Sequence, residues 1–335
     1  MIRVGIVGCG RIVEEGHAPA FERLRDRFEI VAVADPSEER RDLIGGRFGV
    51  PPVSRYSTWN DLLRDDSIDL VDMAVPHFLH RDSCVAAAAS GKAILMEKPM
   101  ATSLKEADEI MAAVAKSGAP ACIIHNYLYS ASSSAALRVI DEGGIGRPFL
   151  VRIESLSDSH WPGAKAYDPD WRTRTSTGGG GALIDNAYHS LYSAAAYLGS
   201  PVTEVYARLG TFVRDIEVED TVVATLTHAN GGTSQILIGW SVGAAKRVQE
   251  IHGDKGSILF DHEGRQLAVL RGDDWSYPDV PAEESGSFAP LFEEYADALE
   301  SGAPPPVPFE EGYRNFKVVM AAYESNRTGR PIAVE

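Results

Sequence analysis

The sequence predicts an α/β chain in two parts: a doubly wound parallel sheet, then an α+β domain with a mainly antiparallel sheet. Three observations predict it. Short β-branched apolar runs alternate with helix-forming stretches over the first third of the chain. Beyond residue 148 the pattern changes to strands joined by turns, with Asn230-Gly231-Gly232 as a hairpin signal. The length, 335 residues, suits two domains at roughly 150 residues each.

The elements follow in order. Ile2–Val7 is a continuous apolar run, the mark of a strand buried on both faces. Gly8-Cys9-Gly10 follows it, then a stretch able to form a helix. Glu29–Ala34 is a second strand, ending at Asp35. Ser37 caps a helix through about Phe48, and Thr58 with Asp61 opens a short one. Asp69–Val75 is a strand that stops at Pro76. Arg81–Ala89 is helical, with Gly91 as its C-cap. Ala93–Met96 is a strand closed by Glu97-Lys98-Pro99. Ser103 and Glu106 make a capping box ahead of Leu104, Ala107, Ile110, Met111 and Val114 at helical spacing. Ala121–Ile124 is one more strand. The domain boundary falls near 120 to 130, giving domains 1–122 and 123–335. In the second, Phe149–Leu156, Val202–Phe212, Thr221–Thr227, Ser234–Val242 and Ser257–Phe260 read as strands. Residues 271–308 read as loop around one helix near Leu291–Leu299.

Composition bounds the function. Apolar residues make up 44% and charged residues 24%, which suits a globular protein and excludes disorder over most of the length. Acidic residues number 48 against 32 basic, a net charge of −16. That field repels a nucleic-acid backbone and an anionic membrane surface. Cys9, Cys84 and Cys122 give neither a disulfide framework nor a cysteine zinc site. The apolar run at Met1–Val7 is too short for a signal peptide, and no stretch is long enough to span a membrane. A cytoplasmic, soluble protein is expected.

Three motifs carry chemistry. Gly8-x-Gly10 after the first strand permits a tight turn and lets backbone N–H groups approach a pyrophosphate. The plain alternative is an ordinary strand–turn–helix. Asp35, ending the second strand, favours dinucleotide binding, because an acid there holds the adenosine ribose hydroxyls. It would repel a 2′-phosphate, so NAD is expected over NADP, although Arg40 and Arg41 keep NADP open. Glu97-Lys98-Pro99 stands at a carboxyl strand end, facing the ligand crevice. Lys98 there can donate to a substrate hydroxyl or act as a base; alternatively it is a surface lysine paired with Glu97. Four glycines, Gly178 to Gly181, then lead into Asp185-x-x-x-His189. On a helix from Ala182 to Tyr197 these two share a face, and the acid would orient the imidazole as a base. The alternative is an acid near a helix start and an unrelated histidine.

Together, Gly8-Cys9-Gly10-Arg11-Ile12, Asp35, Glu97-Lys98-Pro99 and the glycine run with Asp185-x-x-x-His189 resemble the glucose–fructose oxidoreductase / inositol dehydrogenase / rhizopine catabolism (Gfo/Idh/MocA) family. Trp171-Arg172 and Gly253-Asp254-Lys255-Gly256 extend the resemblance over almost the whole chain. It implies an N-terminal Rossmann domain, then a domain whose large open sheet forms homodimers or homotetramers. It implies hydride transfer between a nicotinamide cofactor and a sugar, inositol or related polyol. Lys98, Asp185 and His189 match the catalytic positions, and Glu97 a cofactor-contacting one. Gly8, Gly10, Arg11, Ile12, Asp35, Pro76, His77, His80, Glu97 and Lys98 are the expected cofactor contacts. Asn126, Tyr127, Trp171 and Arg172 join the three catalytic residues as expected substrate contacts.

There are departures. Val13 replaces the usual third glycine, Val75-Pro76-His77 a common Thr-Pro-Asn, and His125-Asn126-Tyr127-Leu128-Tyr129 a more basic segment. Of His77, His80, His125, His160 and His189, only His189 has a carboxylate, Asp185, at close helical spacing, and no metal is expected. Trp161, Tyr167 and Trp171 are read as a sugar-stacking wall or as core or subunit-interface residues. Lys165, Arg172 and Arg174 are read as a solvated loop or as contacts to an acidic substituent. Two rivals stand beside the dehydrogenase. One is an NAD-dependent glycosidase that oxidises a sugar transiently and eliminates the glycoside. The other is a non-catalytic NAD-binding regulator, against which the joint presence of Lys98, Asp185 and His189 argues.

Overall fold

The computed structural model describes residues 1–261, 266–280 and 287–334. The first part alternates strand and helix: β1 (Ile2–Val7), α1 (Ala18–Arg23), β2 (Phe28–Ala34), α2 (Glu38–Arg47), β3 (Arg55–Tyr56), α3 (Trp59–Leu62), β4 (Leu70–Met73), α4 (His80–Ser90), β5 (Ala93–Met96), α5 (Leu104–Ser117) and β6 (Ala121–Ile123). The strands form one parallel sheet of six in the order β3-β2-β1-β4-β5-β6. This is the doubly wound Rossmann order, with its switch point beyond the carboxyl ends of β1 and β4. Every residue of β4 and β5 is buried, as two-sided helix cover requires. Ser37, Thr58 and Ser103 cap α2, α3 and α5 by accepting the backbone N–H of Arg40, Asp61 and Glu106.

The second part comprises α6 (Ala131–Asp141), β7 (Pro148–Leu156), α7 (Thr175–Gly178), α8 (Tyr188–Leu198), β8 (Val202–Gly210), β9 (Thr221–His228), β10 (Thr233–Gly239), β11 (Lys246–Gly253), β12 (Gly256–Asp261), β13 (Leu267–Arg271), β14 (Asp274–Ser276), α9 (Phe288–Ser301), α10 (Phe309–Thr328) and β15 (Ile332–Ala333). Its sheet has nine strands in the order β14-β13-β12-β11-β7-β10-β9-β8-β15. The β7–β10 pair is parallel and the other pairings are antiparallel. One face is covered and the other open. In β9, Val222, Ala224, Leu226 and His228 are buried, while Val223, Thr225 and Thr227 face outward. The Asn230-Gly231-Gly232 turn joins β9 to β10 in register, Thr227 opposite Thr233.

Three features differ from the sequence reading. The helix expected over 182–197 opens with a π turn at Leu183–Ala187 before α8 begins. The strands expected to reach Phe212 and Val242 stop at Gly210 and Gly239. Finally, α9 crosses back to the first sheet, although the boundary near 122 places it in the second domain. Tyr295 Oη donates to Ile94 O (3.0 Å) and Pro120 O (2.8 Å). Phe292 packs on Phe21 at 4.9 Å, and Ile123 N donates to Val307 O at 3.0 Å. The apolar stripe Leu291, Phe292, Tyr295, Ala296 finds its cover there. Among the described residues no helix is long and apolar enough to cross a membrane.

Candidate active site

The carboxyl ends of β1, β2, β4 and β5 open into a cleft of about 820 Å³, closed from the other side by the loop before α7, the π turn and α8. At one end lies the glycine turn. Gly8 has φ of 90°, and a Cβ there would sit 2.5 Å from Ala74 O. Only glycine takes that backbone without strain. A Cβ on Gly10 would meet nothing within 4 Å, so the turn leaves open space where a ligand backbone can approach. Arg11 and Ile12 line the same end. Val13, in place of a third glycine, is buried in a π turn over Val13–His17.

Asp35 is buried behind the turn. Its Oδ2 accepts Cys9 N at 2.7 Å and its Oδ1 accepts Ser37 N at 2.8 Å. Oδ1 also accepts the Tyr167 hydroxyl, so Tyr167 stands at the Asp35 end of the cleft and not beside Lys98 and His189. Arg40 and Arg41 are committed elsewhere. Arg40 Nε donates to Cys9 O at 2.7 Å, and Arg41 Nη1 donates to Asp35 O at 2.6 Å.

At the other end, Lys98 Nζ donates to Asp185 O (3.0 Å) and Oδ1 (3.1 Å). Asp185 Oδ2 lies 3.5 Å from Arg172 Nε, and Oδ1 lies 4.0 Å from His77 Nε2. Burial raises the Asp185 carboxyl, but the charges of Lys98 and Arg172 outweigh it and hold it well below the usual range. Burial keeps His77 neutral, its pKa well below the ordinary value; its Nδ1 bonds Gly178 O at 2.9 Å. Arg172 lies over Trp171 at 4.1 Å, and Arg11 over Trp161 at 4.5 Å. These stacks roof the cleft. Lys165 is exposed and Arg174 pairs with Asp168, so both sit in the solvated loop.

His189 faces the same end, its ring stacked on Tyr127 at 3.8 Å. The sequence reading paired it with Asp185. The structure differs: Nδ1 of His189 bonds Tyr192 Oη at 2.7 Å, while the Asp185 carboxylate meets Lys98, Arg172 and His77. The π turn is the reason, since it breaks the i, i+4 geometry of a regular α-helix between the two residues. Pro76, Glu97, Asn126 and Trp171 line the cleft as expected. His80 does not. It begins α4 with Nδ1 on Pro99 O (2.7 Å) and Nε2 on Val75 O (2.9 Å), bracing the wall from behind.

Comparison with known proteins accords with this geometry. Residues 2–125 match the family model described as oxidoreductase family, NAD-binding Rossmann fold, and residues 134–259 match the GFO/IDH/MocA C-terminal domain. The chain belongs to the GFO/IDH/MocA oxidoreductases. An uncharacterized oxidoreductase, YrbE, from Bacillus subtilis is 29% identical, with 100% of this chain and 97% of that protein covered. Levoglucosan dehydrogenase from Pseudarthrobacter phenanthrenivorans is 28% identical over 79% of this chain and 74% of its own. A solved levoglucosan dehydrogenase in complex with NADH superposes with a TM-score of 0.89 at 25% identity, covering 100% of this chain and 99% of that one.

The residues here fit the dinucleotide of a GFO/IDH/MocA enzyme: the open space at Gly10 would admit a pyrophosphate, and Asp35, just past the end of β2, stands where the acid of a doubly wound fold would meet a ribose diol. One group at this site has no sequence signal. His17, in the π turn after the glycines, is fully buried; Nδ1 lies 2.9 Å from Asp72 Oδ2 and Nε2 lies 3.0 Å from Glu97 Oε1. Burial opposes the charged ring, but the two carboxylates outweigh it and raise its pKa to about 10. The other oxygen of Glu97 accepts the Lys98 backbone N–H at 3.0 Å. An imidazolium thus braces the strand end that carries Lys98. The alternative of a Glu97–Lys98 side-chain pair is not what forms: the Lys98 ammonium turns to Asp185.

Proposed function

We propose that this chain interconverts an alcohol and a carbonyl on a sugar, inositol or related polyol, with NAD as cofactor. The observation that carries the proposal is the opening of Lys98 Nζ and the His189 ring on one cleft whose far end holds the Gly8–Gly10 turn and Asp35. Gly8, Gly10, Arg11, Ile12 and Asp35 would hold the adenosine and pyrophosphate half, with Pro76, His77 and Glu97 toward the nicotinamide. Bound there, NAD accepts or supplies the hydride.

The chain's own residues do the rest. Asp185 anchors Lys98 through its carbonyl and its carboxylate, so the ammonium is fixed before substrate arrives. A preorganised cation at the reacting oxygen stabilises charge as it develops there. The His189 ring, clamped between Tyr127 and Tyr192, offers a second polar contact to that oxygen. The aromatic and guanidinium roof of Trp161, Trp171 and Arg172 suits the apolar face of a sugar ring. The names of the relatives, sugar-derived dehydrogenases among them, support this substrate class. The test is a panel of sugars, inositols and sugar acids with NAD, read by NADH absorbance, with Lys98→Ala alongside. The substitution should keep NAD binding and lose on the order of 100-fold or more in turnover. Near-normal turnover of Lys98→Ala would remove Lys98 from the mechanism.

A further inference from the structure

Tyr192 lies one turn beyond His189 on α8, and its hydroxyl is buried. Among the described residues that hydroxyl has two partners: the backbone N–H of Tyr127 at 3.1 Å and Nδ1 of His189 at 2.7 Å. A phenol has one proton to give. The Tyr127 N–H is a donor only, so it uses a lone pair of Oη. The Tyr192 proton is left with one acceptor, Nδ1 of His189. Burial raises the phenol well above its ordinary pKa, so that proton stays in place at neutral pH. The rings are held as firmly as the proton. Tyr192 stacks on His125 at 4.0 Å and 10°, and His189 on Tyr127 at 3.8 Å and 10°. A flip of the imidazole would keep its plane but break its bond to Tyr192.

A neutral imidazole that accepts at Nδ1 carries its own proton at Nε2. We infer that Tyr192 is a positioning residue that fixes His189 as the Nε2–H tautomer, so that His189 meets the substrate as a hydrogen-bond donor and Lys98 exchanges the proton. The inference rests on reading the cleft as an alcohol/carbonyl site. In the reducing direction a hydride adds to the carbonyl carbon, and the C=O π pair moves onto oxygen. That oxygen takes a proton from Lys98 Nζ while Nε2–H of His189 holds it in place. In the oxidising direction Lys98 Nζ, having first released one proton to solvent, takes the hydroxyl proton as the hydride leaves carbon. His189 begins and ends each turnover with the same proton. For it to serve as the base instead, Nδ1 would have to carry the proton, and the Tyr192 hydroxyl would lose its one acceptor in a buried position.

The test is a tautomer measurement on the whole protein labelled with ¹⁵N-histidine. The His189 signals are identified by their loss in His189→Asn. Long-range ¹H–¹⁵N correlation on the cofactor-free protein should show, for neutral His189, a protonated Nε2 and an unprotonated Nδ1. In Tyr192→Phe the two nitrogens should move toward the averaged shifts of exchanging tautomers. Turnover should fall about tenfold or more, the size of one lost hydrogen bond, with KM and NAD affinity little changed. A wild-type His189 protonated at Nδ1 would overturn the inference whether or not any substrate is found. A chain with the Nε2–H tautomer but no dehydrogenase turnover on any polyol would instead overturn the functional reading. An unchanged kcat in Tyr192→Phe with an altered tautomer would overturn the link from tautomer to catalysis.

Discussion

Replacing His17 with glutamine probes a buried cluster of charges at the site. The His17 and Asp72 side chains are 0% exposed and that of Glu97 is 9% exposed, so the imidazolium offsets carboxylate charge that water screens little. Glutamine keeps a polar side chain and removes the charge. Leaving a buried charge uncompensated costs about 3–5 kcal/mol. A second route gives a similar size. A histidine that titrates at 6.5 when unfolded and at about 10 when folded contributes on the order of 4–5 kcal/mol, at about 1.4 kcal/mol per pH unit. The sign follows from the raised pKa. The contribution is complete below about pH 6.5, the unfolded value, and is lost as pH rises through about 10. Urea unfolding of wild type and His17→Gln across that window is the assay. The variant should be weaker by roughly 3–5 kcal/mol near neutral pH, and the gap should close toward pH 10. Adding Asp72→Asn should recover part of the loss, because it removes one of the stranded carboxylates. A gap under about 1 kcal/mol, or one that does not change with pH, would refute the charged-triad argument.

Gly8→Ala should abolish most NAD binding and lower stability, since a Cβ would meet Ala74 O at 2.5 Å with φ at 90°; calorimetric titration with NAD reads it. NADP should bind at least about 100-fold more weakly than NAD, because a 2′-phosphate would be forced against the Asp35 carboxylate, while Arg40 and Arg41 are tied to backbone carbonyls; equal affinities by the same titration would contradict this. Asp185→Asn should lower turnover on the order of 100-fold with NAD affinity little changed. Combined with Lys98→Ala it should add little to the worse single loss, since the two act through one ion pair. Losses that multiply would separate them.

The first sheet was legible in the sequence because its strands are buried on both faces and read as unbroken apolar runs between capped helices. The second sheet was legible where one face is wet and the alternation is clean, as in β9. β11 escaped because Gln249 occupies one of its inward, buried positions, so the period of two is masked. α10 carries its signal openly, with Phe309, Gly312, Phe316, Val319 and Ala322 buried at steps of three and four, yet the sequence reading assigns it nothing. The glycine turn, Asp35 and Lys98 were legible because each sits at a strand end, where the doubly wound topology places ligands. The partners of His17 were not, since they lie 55 and 80 residues away. The spacing of Asp185 and His189 misled for a local reason: a π turn cannot be told from an α turn by apolar periodicity over five residues. Tyr192 lay in plain sight three residues past His189, and an i, i+3 pair on that helix was the available clue.

The central claim is that this cleft moves a hydride between a carbinol carbon and NAD. It is tested most directly with a turned-over polyol deuterated at the carbon to be oxidised, followed by mass spectrometry of both products. The account predicts one deuterium recovered in the reduced cofactor for each carbonyl formed, with that transfer slowed on the order of 100-fold or more in Lys98→Ala. A cofactor that stays free of deuterium while the polyol is consumed would contradict it, as would a glycoside cleaved to free sugar with no reduced cofactor accumulating.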